Sequence, residues 1–144
     1  MSPTNKLETT SQGPVDIDAA FAGLAFLADR RPTTQRDDYF ATLSGYRDGA
    51  IFIAHYAGTS EWERHGSGDE IVMVLDGATT IILRMEDADV RYRLGERQFI
   101  VVPHGVWHRF ETPHGVKVLS VTPQPTDHTA HDPNERADVA DTKG

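Results

Sequence analysis

Short segments of alternating apolar and polar residues, separated by turn residues, run through most of this 144-residue chain. Asp48-Gly49 and Asp76-Gly77 each lie between two such segments. An Asp-Gly pair in that setting is the strongest short-range indication of a β-hairpin. Further strands are expected at residues 90–94, 98–102, 106–111 and 116–121. About eight short strands at this spacing predict an antiparallel sandwich or barrel rather than a βαβ sheet.

The segment before these strands has the period of a helix. Apolar residues recur three and four positions apart at Val15, Ala19, Ala20, Leu24, Leu27 and Ala28. Asp16 and Asp18 lie where the first turn of such a helix favours acidic side chains. The pattern predicts one short helix within residues 15–29, ended by Pro32.

The two ends of the chain differ in composition from its middle. Residues 124–144 have few clustered apolar side chains, so they bury too little surface to order themselves. Residues 1–14 have the same character. We therefore expect disordered tails at 1–14 and 124–144, the second of them acidic, around a single domain at residues 15–123.

Composition excludes several classes of function. The chain contains no cysteine, which rules out thiolate catalysis, disulfides and cysteine-based zinc sites. Its net charge of −8 and its pI near 5.2 argue against nucleic acid or an anionic membrane as a partner. There is no apolar run near the roughly 20 residues of a spanning helix, and the N-terminal residues do not form a secretory signal. A cytoplasmic location is the expectation.

Four side chains with metal-binding chemistry lie near two of the predicted hairpins. Glu63 and His65 are two positions apart, and therefore point to the same side of a strand. Glu70 begins the next strand after a glycine-rich loop, and His108 supplies a fourth group if its strand crosses the barrel. Two imidazoles and two carboxylates suit one divalent transition metal such as Fe, Mn, Ni or Zn.

These segments resemble the two motifs of the cupin superfamily, G-x5-H-x-H-x3/4-E-x6-G and G-x5-P-x-G-x2-H-x3-N. His65, Glu70 and Gly77 match the end of the first motif in type and spacing. Residues 103–108 match the core of the second motif, and the resemblance covers residues 50–122. It implies an all-β fold, an antiparallel β-barrel or double-sheet jelly roll, here with one short N-terminal helix.

The chain departs from the family pattern in residue type at two positions, and in spacing after the glycines that open each motif: Gly58 is one residue too close, and seven residues rather than five separate Gly95 from Pro103. Glu63 stands where cupins have their first histidine, and Thr112 stands in place of the closing asparagine. The ligand set implied by the resemblance is Glu63, His65, Glu70 and His108. Such a set cancels the charge of a divalent ion, which makes the ion less Lewis-acidic than a three-histidine site would.

The role of Glu63 stays open between a metal ligand, an acceptor that orients His65, and a surface carboxylate. Glu61 lies in the same alternation and competes for the role. The remaining histidines have no ligand pattern, and the two in the C-terminal tail would bind metal only adventitiously: His55, His104, His114, His128 and His131.

The resemblance implies a small metal-binding cupin, an enzyme that acts on a small organic molecule through the metal. Dioxygenase, isomerase and lyase chemistries all occur on this fold, and no acid, base or nucleophile singles one out. The alternative is a non-catalytic cupin that binds a small ligand. A third hypothesis is a metal-free barrel whose motif residues hydrogen-bond one another. Cupins commonly pair to cover edge strands, so a homodimer is expected.

Overall fold

The computed structural model describes residues 9–134, which form mainly β-strands. One helix, α1, spans Ile17–Ala22. The strands are β1 (Leu27–Arg30), β2 (Phe40–Tyr46), β3 (Gly49–Thr59), β4 (Trp62–His65), β5 (Glu70–Gly77), β6 (Thr79–Arg84), β7 (Asp89–Leu94), β8 (Phe99–Val102), β9 (His108–Pro123) and β10 (Thr126–Thr129). In the described part of the chain, no helix has the length and apolar character needed to cross a membrane.

Strand β9 is the centre of the fold because it has neighbours on both edges. One edge pairs with β3 and, through Glu63 and His108, with β4. The other edge pairs with β6 near the start of β9 and with β5 near its end. Nearly all pairings are antiparallel, and the result is an open barrel of the jelly-roll type. The predicted fold class is confirmed.

The core follows the period of two that the sequence shows. Alternate residues of β5, β6 and β9 are buried together with residues from neighbouring strands: Tyr56, Val72, Val74, Ile81, Leu83, Leu94, Val102, Val116 and Val118. Burying one Val, Leu or Ile side chain stabilises a fold by about 1.5–3 kcal/mol. This row of apolar side chains fixes the register of each strand, because a shift by one residue would expose it.

Helix α1 begins where the sequence predicts but is shorter. The Asp16 carboxylate accepts a hydrogen bond from the backbone N–H of Ala19 at 3.0 Å, which caps the first turn. The helix ends at Gly23, whose N–H bonds back to Ala20 at 3.2 Å. One short helix is thus confirmed, but Pro32 does not end it.

The prediction of helix within residues 15–29 is wrong for its second half. Leu27–Arg30 forms strand β1, which pairs in parallel with β3 and buries Leu27. A helical preference of a few tenths of a kcal/mol per residue is weak against such burial. Leu27 pairs with Tyr56 and Arg30 with Gly58. Pairing between such distant segments leaves no trace in the local sequence pattern, so the periodicity alone could not reveal it.

Three other stretches differ from the expectation. Asp76-Gly77 does not form a hairpin, because β5 and β6 pair with different parts of β9 rather than with each other. The strands expected at residues 106–111 and 116–121 are joined in β9, which passes through Gly115 at φ 102° without a turn. Strand β10 lies in the stretch expected to be a disordered tail, where it pairs with β4. Backbone hydrogen bonds to an edge strand order this segment, although it has few apolar side chains.

The described part of the N-terminal stretch, from residue 9 onward, is also fixed by hydrogen bonds to β2. The N–H of Ser11 donates to Ser44 Oγ at 2.8 Å, and Gly45 N–H donates to the carbonyl of Thr9 at 2.9 Å. The remaining parts of the two expected tails, residues 1–8 and 135–144, lie outside the described residues.

Replacing Gly77 by alanine should lower the free energy of unfolding by about 1–3 kcal/mol. Gly77 has φ 80°, and a Cβ there would lie 2.3 Å from the carbonyl oxygen of Gly115. Gly66→Ala is the matched control, since nothing lies within 4 Å of its added Cβ. Urea denaturation of both variants measures the difference. Equal stabilities would contradict the expectation.

Candidate metal centre

Three strands bring the four predicted ligand residues together inside the barrel. Glu63 and His65 lie on β4, while Glu70 and His108 are the first residues of β5 and β9. Glu63 is directly opposite His108 in the β4–β9 pairing. Strand alternation turns Glu63 and His65 to the same side, as the sequence predicts.

The polar atoms of these side chains converge on one point. Oε1 of Glu70 lies 3.2 Å from Nε2 of His65 and 3.0 Å from Nε2 of His108. Oε1 of Glu63 lies 3.8 Å and 3.9 Å from the same two nitrogens. One donor atom from each residue falls within 4.8 Å of every other. The side chains of His65, Glu70 and His108 are buried, whereas that of Glu63 is 20% exposed.

The far side of each buried side chain is fixed by a separate partner. Nδ1 of His65 lies 2.9 Å from Thr126 Oγ1 on β10, and Nδ1 of His108 lies 3.0 Å from the carbonyl oxygen of Val106. The hydroxyl of Thr122 donates to Oε2 of Glu70 at 2.7 Å. These contacts orient both rings and the carboxylate, so that Nε2, Nε2 and Oε1 face the point of convergence.

The three atoms that face this point have no hydrogen-bond partner. Nε2 of His65, Nε2 of His108 and Oε1 of Glu70 are buried and make no hydrogen bond among residues 9–134, although Oε1 lies within ion-pair distance of both nitrogens. A buried polar atom without a partner costs about 1–3 kcal/mol. Nitrogen and carboxylate donors left unpaired around one point are the arrangement that a bound cation would satisfy, so the residues fit a metal.

The charges of the cluster depend on one another. Burial alone would raise the pKa of Glu70, but the adjacent His108 and His65 outweigh burial and lower it to about 2. Burial likewise disfavours the charged form of His108, but Glu70 outweighs it and raises the pKa of that imidazole. Burial and the neighbouring charge of Glu70 raise the pKa of Glu63. One carboxylate is therefore held ionised, while the other is pushed toward its neutral form.

A cavity of about 360 Å³ opens beside the cluster. Glu63, His65 and Glu70 lie in its wall. The rest of the wall is mostly apolar and aromatic, with Tyr39, Phe40, Phe52, Ile53, Ala54, Tyr56, Val72, Phe110 and Val118. Pockets for small organic molecules begin at about 300 Å³, so the space suits a ligand of modest size. Phe110 packs its ring against His108 with centroids 6.0 Å apart.

The other glutamate and histidine side chains considered in the sequence lie outside the cluster of four. Glu61, the predicted competitor of Glu63, pairs with His128 on β10 at 2.7 Å and does not enter the cluster of four. His128 therefore lies in the cavity wall rather than in a disordered tail. His104 is exposed beside Asp69, as its position in a turn predicts. His55 packs between the rings of Phe21 and Phe26.

Sequence reasoning missed three residues of this region. Thr122 and Thr126 hold Glu70 and His65 from positions that carry no motif. Arg30 enters the cavity wall from β1, a strand that the sequence pattern presents as helix. Their roles follow from strand pairing, and pairing between distant segments is not encoded in local spacing.

Comparison with known proteins supports the fold. The chain matches the Cupin_2 family model, described as a cupin domain, over residues 51–122. A cupin-2 domain protein from Shewanella frigidimarina is 17% identical, with a TM-score of 0.58, covering 76% of this chain and 94% of the other. A Neisseria meningitidis protein has 16% identity, a TM-score of 0.56 and coverages of 78% and 100%. A conserved Streptococcus pyogenes protein of unknown function has 22% identity, a TM-score of 0.54 and coverages of 83% and 94%. No curated protein matches the sequence.

Replacing Glu63 by glutamine should raise the free energy of unfolding of the metal-free protein at neutral pH by about 1 kcal/mol. Because the folded state raises the pKa of Glu63 above its ordinary 4.5, wild-type stability falls as the pH rises through and above that value. Glutamine cannot ionise, so the advantage of the variant should grow over this window and vanish below it.

Urea denaturation in the presence of a chelator, from about pH 4 to pH 8, measures the effect. Glu86→Gln is the control, because Glu86 is an exposed carboxylate in the loop between β6 and β7. A stability difference between Glu63→Gln and wild type that is the same at every pH would contradict the assignment.

Proposed function

This chain belongs to the Cupin_2 family, and on that premise we propose that it binds one divalent transition-metal ion and a small organic molecule beside it. The observation that carries the proposal is the set of three buried atoms without hydrogen bonds, on His65, Glu70 and His108. Each belongs to a side chain whose other end is anchored, and all three face one point. Glu63 is the fourth ligand in this proposal.

The donor set limits the kind of ion. Two imidazoles and two carboxylates favour borderline metals such as Fe, Mn, Ni or Zn. Sites for Ca or Mg are instead built from oxygen ligands alone. The two carboxylates would neutralise the charge of a divalent ion, which supports a firmly held cofactor. When bound, the ion would supply Lewis acidity that polarises a ligand oxygen.

The protein's own groups prepare the site for this ion. Thr126 and the carbonyl of Val106 contact Nδ1 of the two histidines, which leaves Nε2 of each ring as the ligand atom. Thr122 occupies Oε2 of Glu70 and leaves Oε1 for the ion. The strands hold all of these groups before the ion arrives, so little ordering is lost on binding.

The cavity gives the ion a substrate-binding space. The apolar side chains of its wall fit the carbon skeleton of a small molecule, while the ligand cluster lies in the same wall. We propose that the protein is an enzyme on this basis, with dioxygenase, isomerase and lyase reactions equally compatible. A non-catalytic cupin that binds the same ligand remains the alternative, and turnover of small organic acids by the metal-loaded protein distinguishes the two.

A metal-free hydrogen-bond network is the third hypothesis, and the geometry disfavours it. In such a network, the buried nitrogens and the carboxylate oxygen would bond one another. They lie 3.0 Å and 3.2 Å apart but remain unsatisfied among the described residues. The close approach of Glu70 to both rings supplies ion pairing for such a network, but the three atoms without hydrogen bonds favour a cation at the centre.

Replacing His108 by alanine should remove the metal while the barrel still folds. His108 contributes a buried nitrogen that makes no hydrogen bond in the described chain, so its loss deletes one ligand and opens space at the centre. We expect about tenfold weaker metal binding or more, from losing one imidazole of the set. Elemental analysis after loading with Fe, Mn, Ni or Zn and desalting measures retention.

His104→Ala is the matched control for this experiment. His104 lies in the turn just before β9, but its side chain is 67% exposed and faces Asp69. We expect this variant to retain as much metal as wild type. A wild-type protein that retains none of the four metals would refute the proposed function, and so would a His108→Ala variant that retains as much as wild type.

We also propose that two copies of the chain pair. Strand β8 pairs only with β5 among the described strands, and its outer side carries Phe99 and Val101, 60% and 47% exposed. Ile71 on β5 is 38% exposed beside them. An apolar sheet edge of this kind is costly in water unless it is covered. Light scattering at micromolar concentration should give twice 15.9 kDa, and a mass of 15.9 kDa alone would refute the pairing.

A further inference from the structure

Arg30 brings a positive charge to the cavity next to the proposed metal centre. It is the last residue of β1 and lies opposite Gly58 of β3. Gly58 has φ +117°, and a Cβ there would lie 2.2 Å from the carbonyl oxygen of Arg30. Glycine at this position therefore lets β1 approach β3 closely enough to place the Arg30 side chain in the cavity wall.

Aromatic rings hold the guanidinium of Arg30 in place. Its Cζ lies 4.5 Å from the ring centroid of Tyr56 and 5.3 Å from that of Tyr39. Both rings are buried, with exposures of 2% and 6%. A cation over two tyrosine faces is fixed in position without using its N–H groups, because the rings attract the charge rather than accept the hydrogens.

The N–H groups of Arg30 are unused among residues 9–134. The side chain makes neither a hydrogen bond nor an ion pair there, and its contacts are with the two tyrosine rings. By contrast, Arg64 lies over Trp107 at the same 4.5 Å but is also paired with Asp127 at 2.9 Å. A guanidinium normally offers a planar fork of donors to a carboxylate. In Arg30 that fork has no protein partner within the described chain.

The charges of Glu63 and Glu61 reach Arg30, but both carboxylates are engaged by other groups once the ion is present. Glu63 and Glu70 would cancel a divalent ion, and Glu61 is paired with His128 at 2.7 Å. Arg30 is then left half-buried with no hydrogen-bonded anion among residues 9–134, and a charge in that position is costly.

From this placement we propose that Arg30 binds the carboxylate of a small monocarboxylic acid, whose apolar body lies in the cavity. The proposal rests on the proposed function, because the bound ion cancels the two ligand carboxylates that would otherwise repel an anion. The fork of Arg30 receives the carboxylate in two parallel hydrogen bonds. The aromatic side chains of Phe52 and Phe110 in the cavity wall contact the carbon skeleton of the acid.

Calorimetric titration of zinc-loaded protein tests the proposal. The probes are benzoate and butyrate, each compared with its neutral amide, which has nearly the same shape but no charge. Wild type should bind each acid at least about tenfold more tightly than its amide. Arg30→Gln should lose this preference and keep its zinc. Arg30→Lys retains the charge without the planar fork, so its preference should be intermediate.

Arg64→Gln is the matched control, because it also removes a guanidinium from an aromatic ring, but outside the cavity wall. It should bind both acids as wild type does. Zinc content of every protein is measured first. Wild type that takes up no zinc refutes the proposed function and this proposal together. Zinc-loaded wild type with no preference for the acids refutes this proposal alone. An unchanged preference in folded, zinc-loaded Arg30→Gln also refutes this proposal alone.

Discussion

Two carboxylates and two imidazoles share a space in this barrel that water hardly reaches, and the rest of the site is arranged around that constraint. Charged groups are costly to bury unless opposite charges and hydrogen bonds compensate them. The contacts of Glu70 with the histidines provide part of the compensation, as the lowered pKa of this carboxyl shows. The three buried atoms without hydrogen bonds mark where this compensation is incomplete. A divalent cation there would satisfy three buried groups at once.

The barrel supports this cluster through strand pairing rather than through local structure. Strand β9 places His108 opposite Glu63, and β5 begins with Glu70 beside both. The anchoring contacts come from the ends of the same framework, at Thr122 on β9 and Thr126 on β10. His65 and Glu70 are thus fixed by strands other than their own. This arrangement keeps the donor atoms in position because moving one would require a strand to shift.

The sequence could predict the cluster because its members obey short-range rules. Glu63 and His65 alternate on one strand, and turn residues precede both Glu70 and His108. The all-β fold likewise follows from hairpin signals. What could not be predicted depends on contacts between distant segments. Residues 27–30 fit a helical period yet pair with β3, and β10 is ordered by β4 despite its polar composition. The position of Arg30 in the cavity could not be predicted because Arg30 lies on the strand that has a helical period.

The division of the cavity between the middle and the flanks of the chain has an evolutionary consequence. All four proposed ligands fall within residues 51–122, the span shared with the family, whereas Arg30 and Tyr39 precede it and Thr126 and His128 follow it. Mutations in the flanking strands can therefore alter what the cavity accepts without touching the metal-binding motif. Similarity within the shared span does not by itself determine what each member binds, because part of the cavity wall lies outside that span.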